Sequence, residues 1–284
     1  MTRSNIVVVT DSSAYIPPAA SGDLDIPVIP LWVIWGAERF RDGVDIDPVA
    51  FYRRLKKSDV FPTTSQPSAG EFEQFFRQVG ATADSIVGLF VTAKLSGTCT
   101  NAQAAAARLS DLDIHVVDSR STSMELGFAV LAAARAAAAG LPLEAVIAAA
   151  ENMRERTHLL FTLDTLEYLH RGGRIGKAKW LLGTALNIKP LLHFVDGSIE
   201  ALTQVRTKSQ AVERMLDIVA ERLGDKRMAE AAIIDADNAP EGDAIAVRVQ
   251  ERFQVSRVYR TPVSPAIGTH AGPGTVGIAF YAED

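Results

Sequence analysis

A short β-branched run that stops dead in a polar loop recurs three times in the first half of this chain. Ile6-Val-Val-Val9 gives way to Thr10-Asp-Ser-Ser13, and Ser85 to Val91 gives way to Thr92-Ala-Lys-Leu-Ser-Gly-Thr98. Ile114-His-Val-Val117 gives way to Asp118-Ser-Arg-Ser-Thr-Ser123. In the second and third cases a helical pattern follows at once, over Asn101 to Leu109 and Met124 to Ala139. Apolar runs of that length read as strands buried on both faces, and parallel strands need crossover helices to join them. The pattern therefore predicts a parallel α/β sheet. Ligands of such sheets collect at the carboxyl ends of the strands, which lines up Asp11, Ser12, Ser13, Thr92, Ser96, Thr98 and Ser119 along one edge.

The second half reads differently. A helix runs from Leu141-Pro142 to about Arg156, and His158 to Thr162 is a strand candidate. Pro190 to Leu202 reads as a hairpin turning at Asp196-Gly197. Ser209 to Leu223 and Gly242 to Phe253 read as helices. Met228 to Ala236, Val255 to Tyr259 and Gly277 to Tyr281 read as strands. The expectation is an α/β protein of two closely packed domains: a parallel-sheet domain over 1–156 and a mixed α+β domain over 157–284.

Composition narrows the function. A hydrophobic share of 48% and a charged share of 22% belong to a globular protein. A net charge of −5 argues against nucleic-acid binding, which needs a basic footprint. The lone Cys99 excludes an intrachain disulfide and a cysteine metal cluster. Ile6 to Val9 is too short for a secretory h-region, and Met124 to Ala150 carries Glu125, Arg135, Gly140, Pro142 and Glu144, so it reads as two helices and not a membrane span. The expected location is the cytoplasm.

Between Leu163 and Pro190, an apolar helical pattern is broken by Arg171-Gly-Gly-Arg174 and restarts before Pro190. Two glycines interrupt a helix at about 1 kcal/mol each, so a basic corner is expected there, suited to an anion or a partner. Gly268-Thr-His-Ala-Gly-Pro-Gly274 reads as a glycine-rich loop with His270 at its tip, or as a plain turn before the last strand. Its match to G-x-G-x-x-G leads into no helix and strand, so a dinucleotide site is rejected. Phe61-Pro-Thr-Thr-Ser-Gln-Pro-Ser68 reads as a rigid, donor-rich loop. Ser68 and Glu71 have capping-box spacing, but Thr63, Thr64, Ser65 and Gln66 are not needed for the cap. Ser96-Gly97-Thr98 fits either a helix cap or an anion-holding helix start.

No G-x-S-x-G elbow, Walker A loop or H-E-x-x-H is present, and the histidines lack metal-ligand spacing. His115, between two aliphatic residues, reads as a core or packing residue. Asp11 and Asp118 end strands, where a turn role outweighs a metal role. A serine hydrolase or acyltransferase using Ser12 or Ser96 with His270 as base is conceivable but has no orienting acid in view.

Taken jointly, Thr10–Ser13, Thr64–Ser68, Leu95–Thr98, Val117–Ser119, Leu163–Leu169 with Gly172–Ile175, Leu186–Pro190 and His270–Gly274 resemble the DegV family, collinearly over nearly the whole chain. The family's members are fatty-acid-binding proteins, the bacterial FakB proteins among them. The resemblance implies a long-chain fatty acid in an apolar tunnel between or within the domains, with no cofactor, metal or catalytic residue. An ATP-dependent fatty acid kinase would phosphorylate the bound carboxylate for phospholipid synthesis, with only transient membrane contact. Carried over by motif, Thr64, Ser96 and His270 would hold the carboxylate, with Ser13, Ser65 and Thr98 in support. Arg171, Arg174 and Arg206 would face the kinase. Ala69 and Cys99 depart from the family's usual proline and aromatic, and Cys99 bears on chain-length preference. Leu163–Leu169 and Trp180–Leu186 become candidates for tunnel wall or lid.

Overall fold

A computed structural model describes residues 5–182 and 188–283. In the first half, β1 (Ile6–Asp11), α1 (Pro18–Ser21) and β2 (Val28–Ile29) are followed by β3 (Trp32–Trp35), β4 (Glu38–Arg41), α2 (Pro48–Leu55) and β5 (Thr63–Ser65). Then come α3 (Ala69–Gly80), β6 (Ser85–Phe90), α4 (Thr98–Arg108), β7 (Asp113–Asp118), α5 (Ser123–Ala138) and α6 (Leu143–Arg156). The sheet β2-β1-β6-β7 is parallel throughout. Successive side chains of a strand face opposite ways. Ile6, Val8, Val87 and Leu89 therefore pack under α5 and α6, while Val9, Ile86 and Phe90 pack under α3 and α4. Both faces are covered, as an unbroken apolar run requires.

The second half holds β8 (His158–Thr162), α7 (Glu167–Arg171), a 3-10 turn (Gly176–Leu181), β9 (Lys189–Val195), β10 (Ser198–Val205) and α8 (Lys208–Leu223). It closes with β11 (Met228–Asp235), α9 (Ala239–Phe253), β12 (Arg257–Pro262), α10 (Pro265–Ala271) and β13 (Val276–Ala282). Its sheet runs β10-β9-β8-β13-β11-β12, and only β11 and β12, joined through α9, are parallel. The hairpin turns at Asp196 (φ +47°) and Gly197 (φ +81°), the left-handed pair a two-residue turn demands.

A third sheet, β4-β3-β5, was not expected from the sequence. It corrects one reading directly: Thr63–Ser65 is a strand paired antiparallel to Trp32–Ile34, not a loop. The Ser68–Glu71 capping box behind it is present in both directions. With α2, this sheet lies over the inner face of the six-stranded sheet. Val33, Trp35, Phe51 and Tyr52 share one core with Leu159, Ile234 and Ala279, and with Met124 and Phe128 of α5. The two halves are therefore packed through a continuous apolar layer.

Three further readings are corrected. Pro265–Ala271 is a helix, capped by the Ser264 hydroxyl accepting from the Ile267 N–H at 3.3 Å, so His270 sits in a last helical turn and not at a loop tip. The segment after the glycine pair restarts as a 3-10 turn and not an α-helix; residues 183–187, including part of the Trp180–Leu186 stretch and of the Leu186–Pro190 motif, lie outside the described residues. His115 is on the edge strand β7, partly exposed and 2.8 Å from Asp113, and is not a core residue.

Candidate functional site

The strand-end acids fasten the loops at the carboxyl edge of the parallel sheet. Asp11 is fully buried and accepts N–H bonds from Ser13 (2.8 Å) and Val91 (2.7 Å). Burial raises its pKa, and these hydrogen bonds oppose the rise. Asp118 accepts from Ala93 (3.2 Å) and Arg120 (2.9 Å). These are turn-stapling roles, and the loop they anchor meets the second half of the chain where the Thr92 hydroxyl donates to the Gly197 carbonyl at 3.0 Å.

There, a cavity of about 100 Å³ opens between the halves. Its polar end is lined by Thr64, Ser65, Gln66, Ser96, Arg174 and His270, and its apolar walls include Leu159, Phe161, Phe194, Ile199, Ile234 and Ile267. Thr64 Oγ1 lies 2.7 Å from His270 Nε2, a contact spanning 206 residues of sequence. Burial, with the positive Arg174 adding to it, lowers the His270 pKa to about 4, so the ring is neutral near pH 7. Nδ1 is buried with no partner among the described residues, so a proton there would be stranded. With the proton on Nε2, the ring donates to Thr64 Oγ1 and leaves the Thr64 O–H free to donate into the cavity.

Gly172 makes that placement possible. A Cβ at Gly172 would stand 2.1 Å from His270 Nδ1, so only glycine lets the helix end this close to the ring. The glycine pair is thus a packing requirement as well as a helix stop. It also aims Arg174, whose Nη1 donates to the Gly172 carbonyl (2.7 Å) and Nε to the Leu95 carbonyl (3.1 Å). Arg174 therefore lines the cavity and ties the glycine break to the loop of Ser96.

The remaining expected residues divide. Ser96 Oγ is 2.8 Å from Thr98 Oγ1 and accepts the Thr98 N–H at 3.3 Å, so Thr98 stands behind the cavity wall. The Ser13 carbonyl accepts the Ser123 N–H at 3.0 Å, one layer behind the cavity-lining Ser123. Arg171 pairs with Glu167 at 2.6 Å and lies over the Phe61 ring at 4.0 Å, while Arg206 is exposed. The three arginines grouped by sequence are thus in three different settings.

Three polar cavity residues are not among the sequence's site candidates: Thr122 and Ser123, at the end of the third strand-end loop, and Thr275 beside the last strand. A serine-hydrolase arrangement is not assembled. Ser96 is bonded to Thr98, His270 to Thr64, and His270 Nδ1 has no carboxylate behind it among the described residues. What the site offers is neutral hydroxyl and imidazole donors and one guanidinium at the mouth of an apolar cavity, a combination that fits an amphiphilic anion.

The sequence matches the DegV family, described as a family of uncharacterised proteins, over residues 5–283. A DegV domain-containing protein of Streptomyces coelicolor is 37% identical over 281 residues, covering 98% of this chain and 99% of the relative. The fold is similar to that of a Thermus thermophilus DegV family protein whose structure is described in terms of fatty acid binding. That likeness has a TM-score of 0.92 at 33% identity, over 98% of this chain and 100% of the other. It is equally similar to Bacillus subtilis DegV, described as a fatty acid binding protein, with a TM-score of 0.91 at 32% identity over 99% and 100% of the two chains. The chain belongs to the DegV family.

Proposed function

We propose that this protein is a non-catalytic carrier that binds a long-chain fatty acid in the cavity. On this reading the acid's carboxylate is held by Thr64, Ser96 and His270, with Arg174 beside it. The observation that carries the reading is the 2.7 Å Thr64–His270 pair at the polar end of an otherwise apolar cavity. A buried carboxylate must be met by fixed donors. The tail supplies the affinity, at about 0.8 kcal/mol per buried methylene. A cavity of about 150 Å³ admits a benzene ring, so a long chain enters only if aliphatic side chains such as Ile199 and Ile267 repack to extend the space into a tunnel. The likeness to two solved proteins described as fatty acid binding supports the ligand class.

The further step is presentation of the carboxylate to an ATP-dependent fatty acid kinase, whose acyl phosphate product feeds phospholipid synthesis. The exposed Arg206, together with the rim formed by Arg171 and Arg174, would meet that kinase. In this reading the halves 1–156 and 157–284 act as two domains closing on the ligand, in the cytoplasm and with brief membrane contact. No helix among the described residues is long and apolar enough to cross a membrane. The test is to purify the protein without detergent, denature it, extract it and analyse the extract by mass spectrometry. A stoichiometric acyl chain is expected; an extract with no fatty acid, together with no uptake of added stearate, would refute the proposal.

A further inference from the structure

The cavity has polar lining besides the Thr64–His270 pair. Thr122 and Ser123, at the start of α5, line it too. The helix is 16 residues long, and its N-cap Thr122 makes no side-chain capping bond. Thr122 is 6% exposed, and its Oγ1 is buried with no hydrogen-bond partner among the described residues. The Ser123 N–H is used by the Ser13 carbonyl. The N–H groups of Met124 and Glu125 make no hydrogen bond among the described residues. A helix start leaves such donors directed back along the axis, with partial positive charge.

This helix end lies beside the tail portion of the cavity. Glu125 accepts the Leu159 N–H at 3.0 Å, which sets the first turn of α5 against β8, the strand whose Leu159 and Phe161 form the apolar wall. None of the hydrogen bonds at Thr64, Ser96 or His270 involves Thr122 or Ser123. An unpaired buried hydroxyl beside an apolar wall, at a helix start with free amides, is costly, and a native structure retains it where something pairs with it. A plain acyl chain does not pair with it. An oxygen on that chain does: it accepts from the Thr122 hydroxyl or, as a hydroxyl, donates to Thr122 Oγ1, beside the positive helix start.

We propose that the α5 N-terminus and the Thr122 hydroxyl form a second polar subsite that binds an oxygen substituent on the acyl chain, selecting hydroxy or oxo fatty acids over plain ones. This rests on the fatty-acid reading above. It is tested by displacing a fluorescent fatty acid from the purified protein with stearate and with stearates bearing a hydroxyl or oxo group at successive mid-chain carbons. At least one oxygenated acid should bind about tenfold tighter than stearate, the worth of roughly one satisfied hydrogen bond. Thr122→Val should abolish that preference, bringing the oxygenated acid's affinity down to that of stearate, and Thr122→Ser, which keeps the hydroxyl, should retain it. The proposal is overturned if no oxygenated acid outcompetes stearate, or if Thr122→Val weakens stearate and the oxygenated acids alike, which would make Thr122 a carboxylate ligand. Stearate failing to displace the probe at all would overturn the fatty-acid reading, and the subsite with it.

Discussion

Replacing Gly172 by alanine isolates the role of the glycine pair. The new Cβ would meet His270 Nδ1 at 2.1 Å, so the ring must retreat by more than 1 Å to reach an ordinary contact. A hydrogen bond of 2.7 Å to Thr64 does not survive a shift of that size, because the interaction is lost by about 3.6 Å. Overpacking of this kind costs about 1–3 kcal/mol. Gly172 itself has φ −74° and ψ −10°, however, where alanine is unstrained and favoured by up to about 1 kcal/mol. The net stability loss should thus be small, between about 0 and 2 kcal/mol. Ligand affinity should fall much further. Losing a hydrogen bond to a charged carboxylate costs about 1.5–3 kcal/mol, or roughly tenfold to 150-fold in Kd. Gly173→Ala is the matched control: φ is +69° and no heavy atom lies within 4 Å of its Cβ position. It should lose about 1–2 kcal/mol of stability from the left-handed backbone and almost no affinity. Thermal melts and displacement of a fluorescent fatty acid, run on both variants, read the two effects separately. Wild-type affinity in Gly172→Ala, or an equal affinity loss in Gly173→Ala, would refute the packing argument.

Three other outcomes follow from the charges. With its folded pKa lowered to about 4 by burial and by Arg174, His270 contributes stability in full above the ordinary 6.5 and loses it as pH falls from there towards 4. The amount is roughly 3 kcal/mol. His158, also lowered to about 4 by burial, acts in the same window, so the measurement is the difference between wild type and His270→Gln in urea melts from pH 7 to 4; parallel curves would contradict it. Asp42 moves the opposite way: burial pushes it to about 7, so the folded state favours its proton and loses stability as pH rises from about 4 to 7. Asp42→Asn should therefore raise Tm at pH 8 by about 2–4 °C per kcal/mol recovered, with the gain vanishing near pH 4; a Tm below wild type at pH 8 would contradict this. Arg206→Ala should bind fatty acid normally but have its bound acid phosphorylated poorly by the proposed kinase, whereas Arg174→Ala, in the cavity wall, should weaken binding itself; identical binding in both variants would count against that division.

How much could be read in the chain depended on whether the signal was local. The strands β1 and β6 announce themselves because burial on both faces leaves unbroken aliphatic runs, β7 because it repeats the strand-and-loop pattern, and α5, α6, α8 and α9 because their patterns extend over about four turns. The small sheet gave no such signal. Its strands are three or four residues long, β4 is largely charged, and β5 pairs with a strand some thirty residues earlier. α10 was misread for a related reason. Gly268 and Gly272 argue locally against a helix, but the space beside Gly268 is taken by the Tyr52 hydroxyl, 2.4 Å from where a Cβ would be, and the last turn closes on Gly272. Tertiary packing overrode propensity there.

The sequence alone determined the parallel sheet, the mixed second half, the polar loops at the strand ends and, through the joint motif set, the family. It also named Thr64, Ser96 and His270 together. Only the tertiary structure decided that Thr64 and His270 meet at 2.7 Å, that Gly172 exists to admit the ring, and that Arg174 turns into the cavity while Arg206 stays on the surface. The physical reason is the range of the forces involved. Backbone periodicity and capping act over a few residues and leave a local trace, whereas a contact across 206 residues is set by how two sheets share one apolar layer, which no local stretch of sequence records.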